Sequence, residues 1–302
     1  MSTRKLEIFV AVCQYLNMSK AAQSLFISQS SVSQAITALE KSYNVILFER
    51  LNHTLYLTDA GKNLLFLARQ VLDSLEQLHS SMHASAGQTA LRLGTSATIG
   101  NSLIHPLLQA YARQHPDTRI AVEMSNSKKL EKKLLTAKLD LAIMQKTKHT
   151  PHLEYLPLLT DELIVICRPD HPLAGRQVPL RDLKDEAFIT REKGSGTGLL
   201  LETAFAEKGL SLQTNWICNE ILAVKNAVYH QAGIAVISKF LVQEELAARQ
   251  LATIELTDQL FTRQFELAYH QDKLQNRPFQ EFVAFCTELG DHGFEQLLQS
   301  RA

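Results

Sequence analysis

The sequence has no surplus of charge. Its 31 lysines and arginines stand against 31 aspartates and glutamates in 302 residues. Global electrostatics give no argument for a polyanionic partner, so any such partner must be recognised by a local motif. Cysteine is scarce and dispersed. Cys13, Cys167, Cys218 and Cys286 include no pair at metal-ligand spacing and define no small disulfide scaffold, which leaves buried apolar thiols in a reducing compartment. With 12 glycines and 8 prolines the chain is not of a low-complexity or fibrous type. No apolar run approaches a membrane span, and the opening Met1-Ser2-Thr3-Arg4-Lys5-Leu6-Glu7 lacks the apolar core of a secretion signal, so a cytoplasmic protein without membrane partners is expected. Enzyme signatures are missing as well. The 11 histidines form no His-Glu-x-x-His, and there is neither a Gly-x-Ser-x-Gly elbow nor a dinucleotide fingerprint. The expectation is no catalytic residues, no metal and no cofactor.

The pattern that is present divides the chain into three parts. Residues 1–58 read as three short helices and a hairpin. Leu6, Phe9, Val10, Cys13 and Leu16 give a first apolar face. Ser19 is the candidate N-cap of a second helix, Lys20 to Leu25, and Ser28 that of a third running to about Glu40 with Val32, Ile36 and Leu39 inward. Two strands, Val45 to Arg50 and Leu55 to Leu57, flank the turn Asn52-His53-Thr54. Residues 59–87 read as one long helix capped by Thr58 or Asp59. Leu64, Ala68, Val71, Leu75, Leu78 and Met82 alternate steps of four and three along it, the seam of a coiled coil, and the alternative is a helix packed on its own subunit. Residues 84–89 read as a hinge.

Residues 91–302 alternate strands and helices. Strands fall near 90–94, 120–124, 139–144, 163–167, 187–190, 214–218, 234–237 and 265–269, and helices near 100–115, 127–137, after Gly198, 223–231 and from Pro278. This order predicts a mostly parallel sheet covered on both faces, folded as two subdomains with a cleft: subdomain I about 91–163 and 266–302, subdomain II about 164–265. Ligand sites in such sheets lie where strands end and helices begin. Three places qualify: Thr95-Ser96-Ala97-Thr98, Asn126-Ser127, and the run Arg191 to Gly198, which includes Gly194, Ser195, Gly196 and Thr197. Their hydroxyls and convergent amides suit a small anion, and the absence of a Gly-Lys-Ser/Thr ending argues against nucleotide hydrolysis.

The stretch Ser19 to Glu40, followed by Leu47-Phe48-Glu49-Arg50 and Leu57-Thr58-Asp59-Ala60-Gly61, closely resembles the helix-turn-helix, wing and linker of LysR-type transcriptional regulators. Ser96 to Asn101 and Arg191 to Thr197 most resemble the CysL-like branch of that family, which is linked to sulfur metabolism and small-anion signals. The resemblance implies an α+β multidomain chain: a winged helix-turn-helix (motif about 18–37), a linker helix, and a periplasmic-binding-protein-like α/β domain of two subdomains. It implies a sequence-specific DNA-binding regulator modulated by a small-molecule effector, with double-stranded DNA bearing a near-palindromic operator, a second copy of itself as dimer or tetramer, and RNA polymerase as partners. A small-solute-binding protein without DNA regulation is the alternative that residues 91–302 taken alone permit.

In a helix-turn-helix the second helix enters the major groove. Ser28, Gln29, Ser30, Ser33, Gln34 and Thr37 are then the reading residues, with Gln29 and Gln34 suited to adenine. Lys20 and Arg50 are phosphate candidates, and His53 at the wing tip is placed to reach the minor groove. The chain departs from the family at Ser30-Ser31, often Pro-Ala, at Gln34, often Arg, and at Gly198, often Arg. Gln145 and Asn219 join the cleft residues by the same resemblance. Arg50→Ala is expected to weaken binding to all DNA and to flatten the salt dependence by about one unit of slope. Affinity measured over a salt series checks this, and an unchanged slope removes Arg50 from the phosphate contacts.

Overall fold

A computed structural model describes residues 2–51, 54–83, 90–145 and 150–299. His53 and the hinge 84–89 lie outside the described residues, as do the side chains of Arg50, Leu78 and Met82. The chain forms two compact units, one of Met1–Thr89 with the short segments Lys133–Lys138 and Asp272–Leu274, and one of Ala90–Lys132, Leu139–Gln271 and Gln275–Ala302.

In the first unit α1 (Thr3–Tyr15), α2 (Met18–Ser24) and α3 (Gln29–Tyr43) are followed by the antiparallel strands β1 (Phe48–Leu51) and β2 (Thr54–Leu57) and then by α4 (Asp59–His83). Leu6, Phe9 and Val12 of α1, Ala21 and Ala22 of α2, and Val32, Ile36 and Leu39 of α3 share one core with Leu47, Leu55 and Leu65. Each large apolar side chain buried there contributes roughly 1.5–3 kcal/mol. The rings of Phe9 and Phe48 meet at 5.5 Å, fastening the hairpin to the first helix. Glu40 accepts a hydrogen bond from the Leu47 amide at 2.9 Å, and Thr58 accepts one from the Gly61 amide at 3.0 Å while donating to the Ile46 carbonyl. These bonds tie the end of α3, the base of the hairpin and the start of α4 together, with Thr58 as the cap.

Three expectations are corrected here. The cap of α2 is Asn17, whose side-chain oxygen accepts from the amides of Ser19 and Lys20, so the helix starts two residues earlier than Ser19 suggests. Leu16 leaves the face of α1: it takes a left-handed conformation, φ 47°, that ends the helix and leaves it 42% exposed. Ala68 belongs to the core of its own unit, 1% exposed, because α4 turns that residue, with Leu65, toward α1. The outward apolar ridge of α4 runs instead through Leu67 and Val71, each 43% exposed, beside the half-buried Leu64 and Leu75.

The second unit runs β3 (Ala90–Thr95), α5 (Ala97–Ser102), α6 (Ile104–Gln114), β4 (Arg119–Met124), α7 (Ser127–Leu134), β5 (Leu141–Gln145), β6 (Leu153–Cys167), β7 (Gln177–Val178), β8 (Phe188–Arg191), α8 (Gly196–Glu207), β9 (Thr214–Cys218), α9 (Ile221–Tyr229), β10 (Ala235–Ser238), α10 (Gln243–Ala247), β11 (Ala252–Leu256), β12 (Phe261–His270) and α11 (Arg277–Gln299). The main sheet has the order β4-β3-β5-β12-β6-β11-β7, with β10 also on β6. It is mixed rather than mostly parallel. β3 is parallel to β4 and β5, but β12 runs antiparallel to both β5 and β6. The reason is the length of β6 and β12, which pair antiparallel along their whole run and enter one core at one end and another at the other. Leu158, Leu159, Phe265 and Leu267 pack into one core with α6 and α11, where Tyr111 meets Phe282 and Phe285 edge-on. Leu163, Val165 and Phe261 pack into another with α8. A further core gathers α9 and β10. The expected helix 100–115 is two helices, and the first begins at Ala97, directly behind Ser96.

Removing the cap Asn17→Ala is expected to lower stability by about 1 kcal/mol, and Ser19→Ala by clearly less. Urea denaturation followed by circular dichroism distinguishes them; equal losses would return the cap to Ser19.

Candidate functional site

Two surfaces carry polar chemistry on a rigid base. The first is α3. Its apolar side, Val32, Ala35, Ile36 and Leu39, is buried, while Gln29, Ser30, Gln34 and Thr37 are exposed and Ser33 is half-buried. Ser28 is the cap: its hydroxyl oxygen accepts from the Ser31 amide at 3.1 Å and lies 2.8 Å from the hydroxyls of Ser30 and Ser31. Lys20 is exposed on α2. The reading residues thus share one solvent face of a helix whose opposite side is fixed in the core.

The second is a cavity in the second unit where α5, α7 and α8 begin. Its walls are Ser96, Ala97, Thr98, Asn126, Ser127, Gln145, Arg191, Ser195, Gly196, Thr197, Arg263 and Phe265. Three separately predicted segments therefore converge. Centres of water-sized groups can occupy about 20 Å³ there. The first-turn amides of a helix lack partners within the helix and attract negative charge. Neither α5 nor α8 has its N-terminus closed by a side-chain cap. A Cβ at Gly196 would stand 2.0 Å from Oε1 of Gln145, so any larger residue there would displace that amide from its present position on the wall. The Ser96 hydroxyl is buried without a hydrogen-bond partner, in a residue only 9% exposed.

Arg263, in β12, is the feature that sequence reasoning missed. It faces Asp161 of β6 across the ladder, with Nε to Oδ2 at 2.8 Å. Asp161 also accepts from the Ser238 hydroxyl at 2.7 Å. The other guanidinium nitrogens donate to Thr98 at 2.9 Å, to Thr197 at 2.8 Å and, more weakly, to Gln145 at 3.5 Å, and the group lies over the Phe265 ring. Burial pushes the Asp161 carboxyl above its ordinary range in spite of Arg263, and burial pulls Arg263 below its own in spite of Asp161. Arg191 was only part of a predicted loop. It donates to Glu192 at 3.0 Å and to the carbonyls of Cys218 and Asn219 at 3.2 and 3.0 Å. Asn126 holds the Lys129 amide with Oδ1 and reaches Glu192 with Nδ2 at 3.4 Å.

Three predicted ligand residues stand outside the cavity wall. Thr95 is buried beneath it, its hydroxyl directed to the Ser96 carbonyl. Gly194 supplies a backbone conformation, φ +94°, against Asn126 and Lys128. Asn219 is exposed and acts through its carbonyl, which positions Arg191. The signal for Arg263 and Asp161 was available. Each is a charge in the inward register of an alternating strand, Phe261-Arg263-Phe265 and Leu159-Asp161-Leu163. Among the described residues no group of histidine, cysteine or acidic side chains could hold a metal, and no helix is long and apolar enough to cross a membrane.

Comparison with known proteins bears on both surfaces. Residues 3–62 match the bacterial regulatory helix-turn-helix protein model of the lysR family, and residues 84–291 match the LysR substrate binding domain model. A RuBisCO operon transcriptional regulator of Allochromatium vinosum is 31% identical over 288 residues, 93% of this chain and 95% of the relative. The HTH-type transcriptional regulator CysL of Bacillus subtilis (strain 168) is 30% identical over 298 residues, covering 97% and 98% of the two chains. The regulatory domain of Synechocystis CcmR, solved in complex with 2-PG, superposes with a TM-score of 0.63 at 28% identity, over 67% of this chain and 98% of that one.

Breaking the buried pair by Asp161→Asn is expected to cost about 3–5 kcal/mol, because Arg263 is left without a counter-charge, whereas Asp161→Leu combined with Arg263→Met recovers most of the loss. Denaturation midpoints of the single and double variants measure it. A single-variant loss below about 1 kcal/mol would mean the pair is solvated.

Proposed function

The chain belongs to the lysR family of bacterial helix-turn-helix regulators, and we propose how its parts share the work of a DNA-binding transcriptional regulator with a C-terminal effector domain. Residues 1–58 read DNA, residues 59–87 pair two copies, and residues 91–302 receive the effector between subdomains I and II. α3 lies in the major groove, Gln29 and Gln34 contact base edges, and Lys20 with Arg50 contacts phosphate. The observation that carries this reading is the division of α3 into a wholly buried apolar side and a polar side open to solvent.

A neutral chain with few cations near the reading helix needs two heads for useful affinity. The pairing surface is the ridge Leu64, Leu67 and Val71 of α4, which borders an apolar groove of about 340 Å³ with Tyr43 and Val45. Two heads held by one symmetric seam favour a near-palindromic operator in the cytoplasmic DNA, with RNA polymerase as the machinery acted upon.

The effector is a small anion bound by the cavity behind Ser96. Its support is the unpartnered Ser96 hydroxyl together with the uncapped N-termini of α5 and α8. The neighbouring Synechocystis domain carries 2-PG, a precedent for a small ligand in a domain of this kind. The site senses and does not turn its ligand over. Peroxide-type thiol chemistry has no support either, since none of the wall residues is cysteine and burial pushes Cys13 to about 12 and Cys167 to about 11. Ligand binding moves the balance between two arrangements of the subdomains only by its difference in affinity for them.

Mobility shifts on the chain's own upstream DNA test the reading. Gln29→Ala is expected to cost roughly 1–3 kcal/mol on that DNA and little on random duplex, relaxing sequence preference. Equal loss on both would remove Gln29 from base reading, and no binding by the intact chain at low salt would remove the whole assignment.

A further inference from the structure

We infer that Phe26, in the turn between α2 and α3, reads DNA beside α3 by packing its ring on a thymine methyl group; this rests on the DNA-reading assignment of α3 above. Phe26 is 96% exposed, more than any other large apolar side chain among the described residues. Its φ is 56°, in the left-handed region, where the Cβ of a bulky residue is strained against its own backbone. Helix α2 ends in a Schellman turn. The Phe26 amide donates to the Gln23 carbonyl at 3.2 Å, and the Ile27 amide donates to the Ala22 carbonyl at 3.1 Å. Phe26 occupies the place in that turn which glycine, and next asparagine, ordinarily fills.

The fold makes no use of the ring. Leu25 and Ile27, on either side, pack against the core that α1, α2 and α3 share, and Phe26 is left outside it. The exposed residues nearest to it in the chain are Gln23, Ser24, Ser28, Gln29 and Ser30, all of them polar. Protein partners are marked by contiguous apolar patches, and Phe26 is a lone apolar point in a polar stretch.

The polar face of α3 begins only three residues further on, at Gln29. Three residues span at most about 11 Å, roughly three base steps of a duplex. In a helix-turn-helix the N-terminal end of the second helix comes nearest to the base edges, and the turn holding Phe26 leads straight into Ser28, the cap of that end. Phosphates and sugars give an aromatic ring nothing apolar to meet. In the major groove the thymine C5-methyl does, and phenylalanine is one of the side chains suited to it. Two backbone hydrogen bonds and two inward-packed neighbours hold the backbone of Phe26, so the ring reaches the groove with little but its own rotation to lose.

The test uses the full-length chain and its own upstream DNA. Thymines of the footprint are replaced one position at a time, in both half-sites, by deoxyuridine, which lacks the methyl group. Mobility shifts give the affinity of the intact chain, of Phe26→Asn and of Phe26→Gly. Both substitutes accept the left-handed φ, so urea midpoints at or above that of the intact chain are expected. The expected loss on this DNA is about tenfold or more for either variant. In the intact chain, deoxyuridine at one thymine position costs about fourfold per half-site, and neither variant responds to it. Unchanged affinity in the variants overturns the inference and leaves the reading of α3 to Gln29→Ala. Deoxyuridine that weakens the variants as it does the intact chain, or that weakens nothing, also overturns it. An equal loss on random duplex does the same, because the ring would then act without reading sequence. Urea midpoints that fall in both variants overturn it too, since the ring would then serve the fold. No binding by the intact chain overturns this inference and the DNA-reading assignment together.

Discussion

A guanidinium sealed from water must find all its partners inside the protein, and that requirement on Arg263 organises the effector unit. Its partners come from four separate segments: Asp161 from the opposite strand, Thr98 from the start of α5, Thr197 from the start of α8, Gln145 from the end of β5. The pair also stands where the cores change over. On β6, Leu159 packs to one side and Leu163 to the other; on β12, Phe265 and Phe261 do the same. An ion pair in such a place contributes little net stability compared with apolar residues of the same size. What it provides is direction. It orients the Thr98 and Thr197 hydroxyls, from the first turns of α5 and α8, toward one small space, which an aliphatic pair would leave unoriented.

The DNA-reading unit solves the opposite problem. Its polar groups need no internal partners, because they face solvent, and its precision comes from the apolar side of α3 and from the bonds that hold the ends of that helix. Ser28 fixes its beginning, and Glu40 joins its last turn to the hairpin through Leu47. The absence of net charge then has a use. Association with arbitrary duplex depends on phosphate neutralisation, so a chain with few cations at the interface relies more on base contacts and on having two heads.

Much of this was legible because it is local. Periodicity located α3, α4 and most strands, and turn chemistry marked three segments that meet at one cavity. The failures have physical causes. Asn17 and Ser19 are both good caps two residues apart, and only the geometry of the chain entering α2 decides between them. A four-three repeat in α4 does not say which of its neighbouring stripes meets its own subunit, so Ala68 was assigned outward although the core claims it. A mostly parallel sheet follows from strand-helix alternation, but β6 is 15 residues long and lacks an intervening turn signal that would have announced its crossing. Arg263 lies 165 positions from Thr98, and nothing near either residue announces the other.

β6 and β12 are paired in register from Phe261–Leu163 to His270–Leu153, with one slip where Phe265 gives way to Glu266, opposite Pro157. The two halves of the effector unit therefore share a two-stranded ribbon as a common spine. Such a ribbon resists bending in its plane, since that would stretch ladder bonds, but it can wind or unwind about its long axis. At the slip Pro157 offers no N–H to the ladder, and β12 is held there by β5 on its other edge. The continuous ladder of these two strands therefore carries both halves on one backbone frame, with β5 bonded to β12 toward one end and β10 and β11 to β6 toward the other.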